Sequence, residues 1–94
     1  MNTAIAGLFA PGKVVMTRSV VEHVPFLKKY LYRHLRGDWG DLADEDKNEN
    51  DLAVKAGDLR IFSAYETDIE GAEKIWIITE ADRSATTILL PSDY

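Results

Sequence analysis

Apolar residues fall first into a short β-branched run, then into a period of three and four, and finally into runs that alternate or are apolar throughout. "GKVVMT" (12–17) follows a Pro-Gly turn and predicts a strand. "SVVE" (19–22) fits a capping box, in which Ser19 accepts from the backbone of Glu22 and the Glu22 carboxylate reaches back. That predicts a short helical turn ending near His23. Pro25 suits the first position of a second helix, where its missing N–H costs nothing. Phe26, Leu27, Tyr30, Leu31, His34 and Leu35 then recur at helical spacing and make one apolar face. Lys28, Lys29, Tyr32, Arg33 and Arg36 occupy the other side.

"RGDWGD" (36–41) follows directly. Gly37 can end the helix in a left-handed conformation, and the arginines before it complement the helix dipole. Asp38 and Gly40 suit tight turns, and Asp41 can cap a third helix, over about 43–56. Asp44, Glu45 and Asp46 sit where that helix's dipole favours acids. Its first half has almost no apolar face and belongs on the surface. Capping leaves Trp39 unexplained. With glycines beside it, the indole itself is expected to anchor the turn by packing, or else to meet a partner.

The remaining runs, "DLRIFSAYE" (58–66), "KIWIITE" (74–80) and "ATTILLP" (85–91), predict three strands. Gly71 is available for the first hairpin, and "ADRS" makes the second turn. The predicted fold is α+β: a short N-terminal strand, two or three helices, then a three-stranded antiparallel meander, with the helices on one face of the sheet. Residues 1–11 read as a flexible lead-in and 12–94 as one domain. A sheet covered on one face should alternate apolar with polar. "KIWIITE" does not: Ile75 and Ile77 point one way, Trp76 and Ile78 the other, and Phe62 opposes Leu59 and Ile61. The second face therefore needs a cover. The expectation is partial cover by the Trp39 segment and the acidic helix, plus an interface, most simply a homodimer. Trp39, Phe62, Trp76 and Ile78 are the candidate interaction residues.

Composition narrows the chemistry. The chain has 94 residues and no cysteine, so disulfides, thiolate metal sites and cysteine nucleophiles are excluded. "MNTAIAGLFAPG" lacks a basic n-region and is too short to span a membrane, which leaves a cytoplasmic location expected. The net charge of -5 is unevenly spread. Residues 1–36 hold six bases against one acid, and residues 37–94 hold fifteen acids against five bases. The simplest reading is mutual attraction of the two halves within one fold.

Searches for a catalytic or metal site fail. Asp44, Asp46 and Asn48 match the first positions of a calcium loop, but Glu49 stands where glycine is needed and Lys55 where a bidentate glutamate is needed. His23 and His34 match no metal-ligand spacing. His34, on an apolar face, reads as a hydrogen-bonded, half-buried residue. None of Ser63, Ser84 and Ser92 lies in a nucleophile elbow. No catalytic, cofactor-binding or metal residue is therefore assigned, and the expectation is a protein that is not an enzyme. "RGD" is taken as coincidence, because nothing else suggests export. Lys28, Lys29, Tyr32, Arg33 and Arg36 could follow phosphates, with the tyrosine stacking on a base. A chain pI of about 4.9 argues against this nucleic-acid role and for a solvated face.

"GDWGDLADEDKNEND" and "KIWIITEADRSATTILLPSDY" resemble a family of small bacterial proteins of plasmids and other mobile elements, usually labelled only "plasmid-related". The resemblance covers about residues 12–94. Members often carry Thr-Pro-Gly after the first strand, where this chain has Thr17-Arg18-Ser19. No established activity or site residue comes with the resemblance. A restriction-modification label carried by some members finds no support, since 94 residues without a glycine-rich loop cannot make a methyltransferase domain. The leading expectation is a small interaction protein of mobile-element biology with a protein partner. The alternatives are a nucleic-acid-binding accessory protein using the basic helix 25–36, and an acidic inhibitor or DNA mimic acting on a host defence or restriction enzyme.

Overall fold

A computed structural model describes residues 7–94. Strand β1 (Lys13–Met16) leads into helices α1 (Arg18–His23), α2 (Leu27–Leu35) and α3 (Asp44–Ala56). Strands β2 (Ile61–Glu66), β3 (Lys74–Thr79) and β4 (Ala85–Leu89) follow, and a 3-10 turn covers Pro91–Asp93. The sheet order is β1-β4-β3-β2. β2, β3 and β4 form the expected antiparallel meander, and β1 adds to β4 in parallel. The class is α+β, with a mixed sheet.

Period-two alternation sorts the strands into two faces. Ile61, Ser63 and Tyr65 share one face with Ile75, Ile77, Thr79, Thr86 and Ile88, and all eight are buried. Val20 and Val24 around α1, and Tyr30 of α2, close that face. α3 lies differently, along the β2 edge. The Asn50 carboxamide donates to the Phe62 carbonyl at 2.7 Å and accepts from the Phe62 N–H at 3.1 Å, replacing a neighbouring strand. One step along, Trp39 O accepts from Ala64 N–H and Asp41 N–H donates to Ala64 O. The Asp41 carboxylate accepts from Glu66 N–H at 2.9 Å. The outward polar groups of Phe62 and Ala64, and the N–H of Glu66, are thus all paired. A sheet edge that would otherwise recruit another strand is sealed.

"GDWGD" is mostly architecture. Gly37 (φ +84°) completes a Schellman cap, with its N–H on His34 O and the Asp38 N–H on Arg33 O. Gly40 (φ +79°) passes so close to β2 that a Cβ there would lie 2.0 Å from Ala64 O. Only glycine fits. Arg33 clasps Asp38 at 2.6 Å, which holds that carboxyl below its usual range.

Several local expectations are corrected. Thr17, not Ser19, caps α1, and Ser19 donates to Asp93 at 2.7 Å. α2 starts at Leu27 rather than Pro25. Val24 enters the core, and the chain turns through a left-handed Phe26 (φ 59°) that is 80% exposed instead of lying on the apolar face. Ala43 occupies the N-cap of α3, because Asp41 is engaged at the β2 edge. His34 is fully buried rather than half-buried. Within the segment read as a lead-in, Leu8 N–H donates to Leu35 O, and Phe9 packs edge-on to His34. Residues 1–6 of that segment lie outside the described residues. The two charged halves meet at a single ion pair among the described residues, Arg33–Asp38.

Candidate functional site

Among the described residues no helix is laid across the face opposite α1 and α2; α3 flanks it from the β2 edge. Register places Phe62, Ile78, Thr87 and Val15 in one cross-strand row, and Ala64, Trp76 and Leu89 in the next. Such rows pack side chain against side chain, which is how sheets gain lateral stability. Ile78, Leu89 and Ala64 are buried, whereas Phe62 and Trp76 remain half-exposed. Trp76 is the hub. Phe62 meets it edge to face at 5.2 Å, and Tyr94 does the same at 5.7 Å.

Tyr94 reaches this position because the tail is pinned beforehand. The Asp93 carboxylate accepts from Thr17 and Ser19 hydroxyls, both at 2.7 Å, and from Leu90 N–H. Those donors hold the carboxyl below its usual range. Tyr94 is nevertheless 74% exposed. Arg60 lies over it at 5.9 Å and donates to its hydroxyl at 3.1 Å.

α3 supplies the remaining wall. By sealing the β2 edge it brings Glu45, Asp46 and Glu49 beside the rings. With Leu42, Asn50, Arg60 and Ile78 they line an open cleft of about 540 Å³. None of the three acids forms an ion pair among the described residues. The cleft therefore combines partly buried aromatic rings, an apolar floor and excess negative charge.

Phe62, Trp76 and Ile78 are brought together here, Ile78 as buried floor. Trp39 is not. It is only 4% exposed, packs with Ala53 and Ile61 on the helix-covered side, and donates to Asp51 at 3.0 Å. It anchors its turn, as packing against short glycines requires, and is not available to a partner. Its segment reaches the open face only through Leu42, which lines the cleft. Tyr94, Arg60 and the α3 acids were missed in sequence. The acids had been accounted for by the helix dipole, and the folding back of the tail leaves no local signal.

The basic face of α2 is less uniform than its spacing suggests. Lys28, Lys29, Tyr32 and Arg36 are exposed, but Arg33 is bound to Asp38 and lies over the Tyr65 ring at 4.5 Å. A phosphate-tracking row thereby loses its central cation.

The histidines sit in structural roles. His23 Nδ1 lies 2.9 Å from Ser19 O. His34 belongs to a buried polar chain whose direction is fixed at one end. Thr86 must donate to the Pro11 carbonyl at 2.7 Å, so it accepts from Thr79. Thr79 in turn accepts from Nε2–H of His34 at 2.9 Å, and Nδ1 accepts from the Ser63 hydroxyl at 2.6 Å. Burial pushes the imidazole down to about 3, which keeps it neutral. A histidine accepting a serine proton is a chemically competent pair, but both residues are 0% exposed, so substrate has no approach.

Among the described residues, no three His, Asp or Glu side chains are placed to hold a metal ion, and no helix is long and apolar enough to cross a membrane. The calcium-loop positions Asp44, Asp46 and Asn48 are helical. No protein-family model matches the chain, and no match was found among curated proteins or solved structures.

Proposed function

We propose that this protein is a non-enzymatic interaction module that binds a protein partner through the cleft around Trp76. The observation that carries the reading is the aromatic cluster of Phe62, Trp76 and Tyr94, left part-exposed on the one sheet face without a covering helix. Aromatic residues in a concave patch rimmed by polar groups are the composition of binding hot spots. Interior use of His34 and Ser63, the polar pair nearest to nucleophile chemistry, favours a binding role over a catalytic one. A setting in plasmid or mobile-element biology rests on the resemblance of the two long motifs alone. A homodimer through the same face is the competing use of the surface. The basic helix supports the nucleic-acid reading less well, because Arg33 is occupied.

Selection of displayed random peptides against the immobilised full chain tests the proposal, with counter-selection on Tyr94→Ser. Peptides enriched on the wild type and lost on the variant are the expected result. No enrichment, or enrichment indifferent to Tyr94, overturns it.

A further inference from the structure

Resting on that reading, we infer that the cleft accepts a cationic side chain, arginine or lysine, presented by a basic peptide segment of the partner. Three features of the site converge on positive charge. Phe62 and Tyr94 each meet Trp76 edge to face, at interplanar angles of 76° and 72°, so three aromatic rings gather at the one cleft. Aromatic rings attract a cation through the ring quadrupole, and tryptophan does so best. Second, Glu45, Asp46 and Glu49 line the same cleft without an ion-pair partner among the described residues, and Arg60 is the one base lining it. Third, the site already accommodates a guanidinium: Arg60 sits over Tyr94 at 5.9 Å and bonds its hydroxyl. Arg60 bonds the tyrosine hydroxyl and forms no ion pair with the acids, so the acids are left for an incoming charge.

Charge also argues against the nearest rival occupant, the basic α2 of a second copy. Each chain carries a net -5, which opposes self-association. Docking α2 of one copy into the opposite face of another would moreover be a head-to-tail contact that need not close.

Titration of the full-length protein with acetylated tetra-arginine amide, followed by the indole N–H resonances, tests the assignment. Trp76→Phe identifies which indole signal is which. Saturable movement of the Trp76 signal is expected, with the Trp39 signal still and tetra-glutamine without effect. Tyr94→Ser changes no formal charge at neutral pH and removes an exposed ring; it should weaken binding about two- to fivefold. Neutralising the wall as Glu45→Gln, Asp46→Asn and Glu49→Gln should weaken it by about tenfold or more. Shifts that never saturate, or that ignore Tyr94→Ser, reduce the effect to diffuse attraction and overturn the inference. Cleft signals that instead move with the protein's own concentration assign the surface to a second copy and overturn it too. The peptide selection separates the two levels. Enriched peptides that are neutral or acidic refute the cationic ligand and leave the interaction module standing, while no enriched peptide at all removes the module.

Discussion

The two faces of the sheet share the same strands and nearly the same apolar content, yet they are finished in different ways. On the helix-covered side, Tyr65, Ile75, Ile77 and Ile88 are at most 1% exposed, and even the polar members Ser63, Thr79 and Thr86 are sealed in and paired. On the other side Phe62 and Trp76 remain part-open beneath a single exposed tyrosine. Burial on the first face leaves nothing for a partner to gain. On the second, apolar area still in contact with water is a driving force that binding can use. Side-chain chemistry alone does not separate the two, because both carry large hydrophobes. What separates them is whether a helix has been laid across.

The largest effect is expected on the covered side. Trp39→Ala removes a buried indole packed against Ala53 and Ile61 and should cost ~3–5 kcal/mol, read by thermal or denaturant unfolding. A melting temperature equal to wild type would show that the indole does not anchor its turn. It would also erase the distinction drawn between Trp39 and Trp76.

Next comes the polar chain under the helices. His34→Leu leaves the Ser63 hydroxyl without its acceptor and Thr79 without its donor, at about 1–3 kcal/mol for each buried group stranded. The same residue imposes a pH dependence. Its folded pKa, about 3, lies below the 6.5 of an unperturbed imidazole, so the unfolded chain binds the extra proton first. The neutral-histidine contribution is therefore complete above pH 6.5 and is lost as pH falls toward 3, with a slope approaching ~1.4 kcal/mol per unit. Asp38 is shifted down as well, but from a carboxyl value, so its loss begins only below about pH 4. Denaturant titrations at pH 7, 6 and 5 isolate the histidine. A flat stability across them would mean that His34 is hydrated in solution, and the covered face would lose its claim to be sealed.

How much of this contrast could be read in the chain is uneven. The meander and α2 follow from local periodicity, α3 from the acids at its start and the glycine at its end, and "KIWIITE" announces a strand apolar on both sides. Gly37 declares the end of α2. Long-range facts left no such trace. β1 pairs with β4 across some seventy residues, and no turn chemistry encodes a parallel contact made at that separation. Asn50 looks like one more polar residue on a surface helix, although its carboxamide takes the place of a strand. Phe26 misleads because spacing assigns it to the apolar face, while the left-handed turn after Pro25 sends it outward. Trp39 and Trp76 are equivalent on paper. Their different fates depend on which side of β2 each reaches.

Asn50→Ala probes the boundary between the faces. It strands Phe62 N–H and C=O at the edge, an expected loss of about 1–3 kcal/mol. It also reopens part of the β2 edge, so light scattering at raised concentration should show association that the wild type lacks. Unchanged stability would mean that water replaces the carboxamide and that α3 does not seal the edge. The acidic wall of the cleft would then lose its fixed position.

The smallest stability change is expected on the open face, and that smallness is itself the test. Tyr94 is 74% exposed, and its ring touches Trp76 from outside. Tyr94→Ser should therefore lie within about 0.5 kcal/mol of wild type. Trp76→Thr sits deeper and costs more: it keeps a β-former in the strand but gives up two edge-to-face contacts, each worth about 0.5–1.5 kcal/mol beyond the apolar area that the indole buries. Sedimentation across a concentration series should accompany both unfolding curves. A folded Trp76→Thr protein with modest loss, monomeric like its parent, keeps the open face as a surface kept for another protein. Dissociation of a wild-type dimer by the same change assigns the face to self-association. Outright unfolding makes Trp76 core, and the two faces would then differ only in how their cover is built.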